Sequence, residues 1–245
     1  MPSLARIAIT GGEGLIGSLL SEGLSDRFEI RPLSREDADV TDLPALERAF
    51  AGAAGVVHLA ASAEVESPWD EVLPANLIGA YNAFEAARRA GAERVVLASS
   101  NHAVGMYARD PERFAGANGP IELPVDVPFR PDSIYGASKA WGETIGRFFA
   151  ERHGLRVVCL RIGWVTDDDR PATMPPSAGG EEADRARRGA GMWLSHRDCV
   201  SLVAAALTAE VGYATVHGVS DNADRWFSLD EGAELLGWRP RDGAR

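Results

Sequence analysis

The sequence predicts an α/β fold, a doubly wound parallel sheet followed by a small C-terminal part. Through the first 165 residues, short β-rich runs alternate with helical patterns, which is typical of βαβ units. The β-rich runs are almost continuously apolar, as expected of parallel strands that helices cover on both faces. Two long loops, at 101–131 and 166–191, each follow a predicted strand. They therefore fall at the sheet edge where open α/β folds bind ligands.

The elements follow from apolar periodicity and from flanking glycine, proline and polar residues. The predicted strands are Arg6–Thr10, Glu29–Leu33, Val56–Leu59, Arg94–Ala98, Arg156–Arg161 and Ala214–Gly218. The predicted helices are Leu15–Leu24, Leu43–Phe50, Val72–Ala90, Ser138–His153, Ser195–Ala209 and one that begins at Ser228, where Ser228 and Glu231 fit a capping box. We expect a single domain over residues 1–245, because the remainder after residue 165 is too short for a large second domain.

Composition narrows the classes of partner. The chain has 36 acidic and 25 basic residues, a formal net charge of −11, which disfavours nucleic acid and anionic membranes as partners. Apolar runs are too short to span a membrane, and the first residues lack a secretory signal pattern, so we expect a cytoplasmic protein. The two cysteines, Cys159 and Cys199, are too few for a disulfide framework or a zinc site. We expect both in the core, and no bound metal.

A glycine-rich turn connects the first strand to the first helix. Its residues, Gly11-Gly-Glu-Gly14-Leu15-Ile16-Gly17, follow the pattern G-x-x-G-x-x-G. Gly11 permits the tight turn, Gly14 lets a pyrophosphate approach the backbone, and Gly17 lets the helix pack on the strand. The N-terminus of the helix offers free N–H groups to the phosphates. The pattern in this context predicts a dinucleotide site at Gly11, Gly14, Leu15, Ile16 and Gly17.

The end of the second strand bears on the choice between NAD and NADP. Ser34 and Arg35 stand where an acidic residue would accept the 2′-hydroxyl of NAD, and this pair favours the 2′-phosphate of NADP. Glu36 and Asp37 follow directly and would serve NAD if the register shifts by a residue or two. Asp39 and Val40 are expected near the adenine by their place in the βαβ series.

Tyr135 and Lys139 are the candidate catalytic pair. They stand four residues apart and so share one face of a helix. Lys139 is the only lysine among the 25 basic residues. An ammonium beside a phenol is expected to lower the pKa of the tyrosine and so to make it a usable base. Ser100, just after the fourth predicted strand, can steady the substrate oxygen. Together the three residues suit the removal of a hydroxyl proton during hydride transfer to a nicotinamide.

These features resemble the extended short-chain dehydrogenases/reductases, the NAD-dependent epimerase/dehydratase family. The resemblance rests on Gly11, Gly14, Gly17, His58-Leu59-Ala60-Ala61, Asn76, Ser100, Tyr135 and Lys139. It implies a Rossmann-type sheet, a Ser100–Tyr135–Lys139 trio, and a nicotinamide cofactor whose ribose Lys139 holds. The cofactor contacts that it implies also include Leu59, Ala60, Ala61, Asn76 and Ile162.

Finer motifs resemble one branch of that family, the uronate dehydrogenases and related 1-dehydrogenases of glucose 6-phosphate or 6-sulfo sugars such as sulfoquinovose. These motifs are Ser99–Gly105, Arg161–Gly163, Met192–Asp198 and Ser220–Asn222. The resemblance implies oxidation of the C1 hydroxyl of an anionic aldose to the lactone. It implies substrate contacts from Asn101, His102 and Ser62, and a C6 anion held by Arg188. Trp164 departs from the pattern, because the uronate enzymes have serine there.

Two alternatives stay open at this point. A nucleotide-sugar epimerase or dehydratase would use the same cofactor, although the C-terminal part is short for one. A non-catalytic NAD(P)-binding sensor would share the fold, although the intact trio argues against it. The resemblance also implies a homodimer or higher homo-oligomer. We expect residues 1–165 mainly to bind the dinucleotide and residues 166–245 mainly to bind the small anionic sugar.

Overall fold

A six-stranded parallel sheet forms the centre of the protein. The computed structural model describes residues 4–110, 112, 121–171 and 189–245. The strand order is β2-β1-β3-β4-β5-β6, and every neighbouring pair is parallel. The strands are β1 (Arg6–Thr10), β2 (Glu29–Leu33), β3 (Gly55–His58), β4 (Arg94–Ser100), β5 (Arg156–Ile162) and β6 (Tyr213–Gly218). The predicted doubly wound α/β fold is confirmed.

Helices connect the strands and cover both faces of the sheet. They are α1 (Leu15–Gly23), α2 (Leu43–Phe50), α3 (Trp69–Val72), α4 (Gly79–Arg89), α5 (Ile134–His153), α6 (His196–Thr208) and α7 (Asp230–Leu236). A π-helical segment, Leu73–Ile78, joins α3 to α4, and a 3-10 segment, Asn101–Arg109, follows β4. No helix within the described ranges is long and apolar enough to cross a membrane.

Two apolar layers hold the sheet between the helices. Leu20 of α1 and Leu202 of α6 are fully buried against one face. Phe50 of α2, Phe84 of α4 and Phe149 of α5 pack on the other, where the Phe84 and Phe149 rings stack with centroids 5.5 Å apart. Burying a side chain of this size contributes about 2 kcal/mol, so the layers fix the direction of each strand end. Both cysteines are buried as free thiols, and burial raises the pKa of Cys199 to about 12.

Two predicted local features differ from the structure. The predicted helix Val72–Ala90 is in fact α3, the π-helical segment and α4 in succession. The predicted capping box at Ser228 does not form, because Glu231 Oε1 accepts a hydrogen bond from the backbone N–H of Val125 (3.2 Å) instead. Leu229 stands at the N-cap without a side-chain bond, and Ser228 Oγ accepts only from the N–H of Asp230 (3.1 Å).

Candidate active site

Two adjoining cavities open at the carboxyl ends of the strands. The first has a volume of about 660 Å³ and the second of about 460 Å³. Both are lined by Gly11, Ala60 and Ala61, so they form one continuous cleft. Most of the other predicted site residues line one cavity or the other. The first cavity is lined by Ser34, Arg35, Asp39, Val40 and Ser62, and the second cavity by Gly14, Leu15, Ile16, Gly17, Leu59, Ser100, Tyr135, Lys139, Ile162 and Trp164. The topology thus brings most of the predicted residues together.

The glycine turn fits a dinucleotide phosphate. Gly11 has a φ of +69°, which favours glycine, and a Cβ on Gly17 would lie 2.4 Å from the Gly11 carbonyl oxygen. A Cβ on Gly14 would lie 3.5 Å from the Gly11 carbonyl oxygen, an ordinary van der Waals distance, so the neighbouring protein atoms do not themselves require glycine there. Gly14 is the N-cap of α1, and no side chain caps this helix. Its first N–H groups are therefore available to an anion.

The turn after β2 holds two carboxylates close to the predicted NADP residues. Ser34 donates to Asp37 Oδ2 from its backbone N (2.9 Å) and from its hydroxyl (2.8 Å), and these bonds lower the pKa of Asp37. Arg35 Nε donates to Asp39 Oδ2 (2.9 Å), although the Arg35 side chain is 88% exposed. Asp39 also accepts from the N–H and the hydroxyl of Thr41 (2.8 Å each). Arg35 thus stands at the rim of the first cavity and is paired with Asp39.

The predicted catalytic trio meets between β4 and the first turns of α5. Ser133 caps α5, because its hydroxyl accepts from the N–H of Gly136 (3.0 Å), and the cap places Tyr135 at the N-terminal end of this helix. Tyr135 is hydrogen-bonded to Ser100. Lys139 lies one turn further along, where its Nζ is 5.4 Å from the Tyr135 ring centroid and donates to the carbonyl of Ala98 (2.9 Å).

Burial controls the protonation of the trio. It raises the pKa of Tyr135, against the smaller lowering effect of the Ser100 hydrogen bond. It also lowers the pKa of Lys139 to about 8. Ser100 is the neighbour that lowers the pKa of Tyr135 in this structure, and the expected lowering by Lys139 stays a prediction. The ammonium of Lys139 donates its hydrogen bond to the carbonyl of Ala98, and burial disfavours the charged forms of both Lys139 and Tyr135.

Asn101 and His102 lie beside the trio rather than on the cavity lining. Asn101 is buried, accepts from Ser100 Oγ (3.1 Å) and donates to Met192 Sδ (2.7 Å). The His102 ring lies edge-on to Tyr135, with centroids 5.8 Å apart. Trp164 is 47% exposed on the lining of the second cavity, and its backbone is bridged to Trp193. Arg188, the predicted anion-binding residue, lies outside the described residues.

Ser62 and Asn76 are both held by hydrogen bonds within the protein. The Ser62 hydroxyl bonds that of Ser67 (2.7 Å) and lines the first cavity, so the structure does not place it beside Ser100. Asn76 is buried, bonds the backbone of Ser62 through both its amide atoms, and donates to Ser138 Oγ (2.9 Å). It thereby ties the loop after β3 to α5 and is absent from the lining of both cavities.

Sequence reasoning missed three polar groups around the site. Thr10 Oγ1 bonds His58 Nδ1 (2.8 Å) under the first cavity, and burial lowers the pKa of His58 to about 3. Asp132 bonds His102 across 30 residues of sequence. Glu143 pairs with Arg161 in the core. Pairs this distant leave no local signal, although Asp132-Ser133 before a helix is a recognisable capping pattern.

Comparison with known proteins identifies the family. Residues 7–166 match the NAD dependent epimerase/dehydratase family. The chain is 39% identical to L-arabinose 1-dehydrogenase (NAD(P)(+)) of Haloferax volcanii, over 98% of both chains. It is 35% identical to NAD-dependent glucose-6-phosphate dehydrogenase of the same organism, over 97% of this chain and 94% of that one. The chain therefore belongs to the NAD dependent epimerase/dehydratase family.

A solved structure agrees with this assignment. The crystal structure of a variant uronate dehydrogenase from Agrobacterium tumefaciens, complexed with NAD, superposes with a TM-score of 0.82 at 32% identity. The match covers 99% of this chain and 86% of that chain. The predictions of the family and of the Rossmann-type fold are confirmed. The predicted class of enzyme, an oxidoreductase that uses NAD(P), agrees with relatives that are themselves dehydrogenases of sugars.

Proposed function

We propose that this protein oxidises the C1 hydroxyl of an aldose to the lactone and transfers the hydride to NAD(P). One observation carries the proposal: Ser100, Tyr135 and Lys139 converge in the cavity that also contains the glycine turn. Relatives that span nearly the whole chain and bear the names of sugar dehydrogenases support it.

The reaction breaks two bonds, the O–H bond of the C1 hydroxyl and the C1–H bond. Ser100 orients the C1 hydroxyl, and Tyr135 Oη takes its proton as the C1–O bond becomes a carbonyl. The electron pair of the C1–H bond leaves as hydride, and a bound nicotinamide supplies the acceptor. Lys139, in its charged form, stabilises the phenolate of Tyr135 and holds the nicotinamide ribose. Because burial raises the pKa of Tyr135 and lowers that of Lys139 to about 8, oxidation is expected to speed up as the pH rises from neutral towards 8 and to slow above it, where Lys139 loses its charge.

The first cavity would hold the adenosine half of the dinucleotide. Its residues fit this role, since Asp39 and Val40 line it beside the glycine turn. Arg35, at its rim, would turn from Asp39 to a 2′-phosphate, and on this basis we propose NADP as the better cofactor. Arg35→Ala should then raise the KM for NADP at least tenfold and leave that for NAD within about twofold. An equal effect on the two cofactors would refute this role.

For the substrate we propose an anionic aldose, a uronate, a hexose 6-phosphate or a 6-sulfo sugar. Asn101 and His102 would contact the ring hydroxyls, Arg188 would hold the C6 anion, and Ser62 would contribute from the loop after β3. Arginine suits bidentate capture of such an anion. Residues 166–245 would supply most of these contacts, and residues 1–165 most of those to the cofactor.

A neutral pentose is the second candidate. Among the described residues that line the second cavity, Lys139 is the only basic one, and it is buried against Ala98. The half-exposed ring of Trp164 offers an apolar wall there, which suits the C–H face of an uncharged sugar. The relative that acts on L-arabinose, at 39% identity, supports the same choice.

We also propose that the protein works in the cytoplasm as a homodimer or higher homo-oligomer. Ile78, Tyr81, Trp141 and Phe148 are each about 40% exposed or more, on or next to α4 and α5. An apolar face of this kind on a soluble enzyme suits burial against a second copy. Light scattering would test this, and a monomer at micromolar concentration would refute it.

The deciding experiment is formation of reduced nicotinamide with a panel of sugars. The panel is glucuronate, galacturonate, glucose 6-phosphate, sulfoquinovose, L-arabinose and glucose, each with NAD and with NADP. Turnover of one anionic sugar, with poor activity on L-arabinose and glucose, would support the first candidate. The reverse preference would support the second.

Tyr135→Phe provides the matched control for this panel. It should lose turnover and still bind the cofactor. A wild-type protein that binds cofactor but reduces it with none of the sugars would refute the sugar dehydrogenase. The nucleotide-sugar epimerase and the sensor would then become the leading functions, and a shift of a UDP-sugar between epimers would distinguish them.

A further inference from the structure

His102 belongs to the same chemical site as the trio. It follows Ser100 by two residues, and its backbone N–H donates to Ser100 Oγ (3.2 Å). Its ring stands edge-on to Tyr135 at 5.8 Å between centroids, and its side chain is 29% exposed. A substrate held between Ser100 and Tyr135 is therefore within reach of this imidazole.

The other end of the His102 ring is held by a carboxylate. His102 Nδ1 lies 2.9 Å from Asp132 Oδ2 and 3.0 Å from Oδ1. Ionised carboxylate oxygens can only accept, so the hydrogen is on Nδ1. The second nitrogen, Nε2, has no hydrogen-bond partner within the described part of the chain. In the neutral ring Nε2 is therefore a bare acceptor.

The fold leaves room for Asp132 at two glycines. A Cβ on Gly105 would lie 2.0 Å from Asp132 Oδ2. A Cβ on Gly136 would lie 2.3 Å from the carbonyl oxygen of His102 and 3.3 Å from Asp132 Oδ1. A real side chain at either place would displace the carboxylate or the backbone that carries His102. Both positions are glycine, so no side chain there obstructs the His102–Asp132 pair.

Asp132 is also connected to the helix that carries Tyr135. Ser133 Oγ donates to Asp132 Oδ1 (3.0 Å) and accepts from the N–H of Gly136 in the first turn of α5. Burial opposes the charge of Asp132, but the hydrogen bonds and charge of His102 and the Ser133 bond outweigh it and lower its pKa. Asp132 therefore stays a carboxylate at neutral pH and keeps the hydrogen on Nδ1.

We propose that Asp132 is a positioning residue that fixes the Nδ1–H tautomer of His102, so that Nε2 accepts a hydrogen bond from the sugar hydroxyl next to the one oxidised. This inference rests on the proposed function. Nε2 of His102 has no hydrogen-bond donor within the described residues, so a hydroxyl of the bound sugar would supply one. The Asp132–His102 pair would therefore make the enzyme require a hydroxyl at C2.

Kinetics with paired substrates test the proposal. The pairs are L-arabinose with 2-deoxy-L-ribose, and glucose 6-phosphate with 2-deoxyglucose 6-phosphate. The wild type should prefer the 2-hydroxy sugar by about 10–100-fold in kcat/KM beyond any difference in intrinsic reactivity. Asp132→Ala should reduce this preference at least fivefold, mainly by raising the KM of the 2-hydroxy sugar. Asp132→Asn, whose amide oxygen still accepts from Nδ1–H, should keep most of it.

A double-mutant cycle separates positioning from a general structural effect. In a His102→Gln background, Asp132→Ala should lower kcat/KM by less than twofold, because the effect of Asp132 on the substrate through the imidazole is gone. Asp110→Ala is the matched control, since Asp110 is a nearby loop carboxylate that pairs with Arg130 instead (2.8 Å). It should leave the preference unchanged. Equal losses from Asp132→Ala in both backgrounds would overturn the proposal.

Nitrogen NMR of the imidazole gives a readout that does not need turnover. With the ring in its neutral form, wild-type His102 should show a protonated Nδ1 and an unprotonated Nε2, with the signals assigned by His102→Gln. The hydrogen should move toward Nε2 in Asp132→Ala and stay on Nδ1 in Asp132→Asn. A wild-type ring with its hydrogen on Nε2 would refute the tautomer. Absence of turnover on every sugar would refute the proposed function and the hydroxyl contact with it, and the spectrum would still decide the tautomer.

Discussion

Lys139 and Glu143 stand one turn apart on α5 and are both buried, but neighbouring groups neutralise their charges to very different extents. Glu143 accepts from Ser99 Oγ and from Nε and Nη2 of Arg161 (2.9 Å each), and both members of the ion pair are at most 3% exposed. Lys139 has one backbone carbonyl and pairs with no carboxylate among the described residues. The pKa of Lys139 is lowered to about 8 as a result.

The difference separates a buried charge that serves the fold from one that the proposed function would use. A buried ion pair with its hydrogen bonds complete holds elements together, here β4, β5 and α5. A buried ammonium without a counter-ion lowers the free energy of unfolding. Such a group is retained where its charge acts on another group, and Tyr135 is the group beside it.

The largest expected effect is on turnover. Lys139→Met should lower kcat by about 10²–10⁴-fold, since the phenolate of Tyr135 loses its cation. It should also raise the free energy of unfolding by about 2 kcal/mol at pH 7, because the desolvation cost disappears. Urea unfolding and steady-state kinetics measure the two. A Lys139→Met variant less stable than the wild type would contradict the contrast between Lys139 and Glu143. Arg152→Met, at an exposed position of the same helix, is the control.

Removal of one partner of the ion pair should have the next largest effect. Arg161→Met leaves Glu143 buried and unpaired and should lower the free energy of unfolding by about 3–5 kcal/mol. The double variant Glu143→Leu with Arg161→Met should recover most of this loss, because neither charge is left alone. Failure of the double variant to recover would show that the charges do more than hold the elements together.

A smaller effect is the pH dependence of stability. The folded pKa of Lys139, about 8, lies below its ordinary value of 10.5, so between these values the unfolded chain binds more protons. Wild-type stability therefore rises with pH across this window. The advantage of Lys139→Met should be full below about pH 8 and should shrink as the pH rises towards 10. If the difference in free energy of unfolding between Lys139→Met and the wild type stays constant from pH 7 to 10, burial of the charged lysine does not destabilise the fold.

The smallest expected effect is that of a helix cap. Ser133→Ala removes the acceptor for the N–H of Gly136 and should cost about 1 kcal/mol. Asp42→Ala removes the matching cap of α2, where Asp42 accepts from the N–H of Ala45 (3.0 Å), and should cost as much. Only Ser133→Ala should also raise the KM of the sugar, because Ser133 supports Asp132. Equal KM values in Ser133→Ala and Asp42→Ala would show that the Ser133 cap stabilises the helix without affecting the sugar site.

Local signals made much of the fold predictable. The helix Leu43–Phe50 was predicted to the residue, because Asp42 caps it and its apolar residues repeat at the helical period. The π-helical segment was missed, since its apolar pattern continues that of a regular helix. The capping box at Ser228 was wrong because a distant backbone group, Val125 N–H, takes the carboxylate of Glu231. Competition from a distant partner is invisible to a local rule.

The candidate site divides along the same line. The glycine turn and the pair Tyr135 and Lys139 are close in sequence, and their spacing carries their geometry. Asp132 and His102 are 30 positions apart, and only the packing of the 3-10 segment against α5 brings them together. The compensation of Glu143 by Arg161 is likewise a property of the folded sheet. Sequence reasoning thus predicted the candidate reacting groups, which the fold brings together, and missed the polar groups that contact them.

The solitary lysine also makes the protein a natural reporter of its own opening. Apart from the chain terminus, Lys139 is the only primary amine, and it is 8% exposed. Because Lys139 lines the second cavity, an acylating reagent would reach it through the cleft, and the rate of covalent labelling would measure how often the cleft exposes the amine. With a pKa of about 8, the amine is already largely nucleophilic in mildly alkaline buffer. A single adduct, counted by mass spectrometry, would then record the breathing of the cleft without an engineered probe.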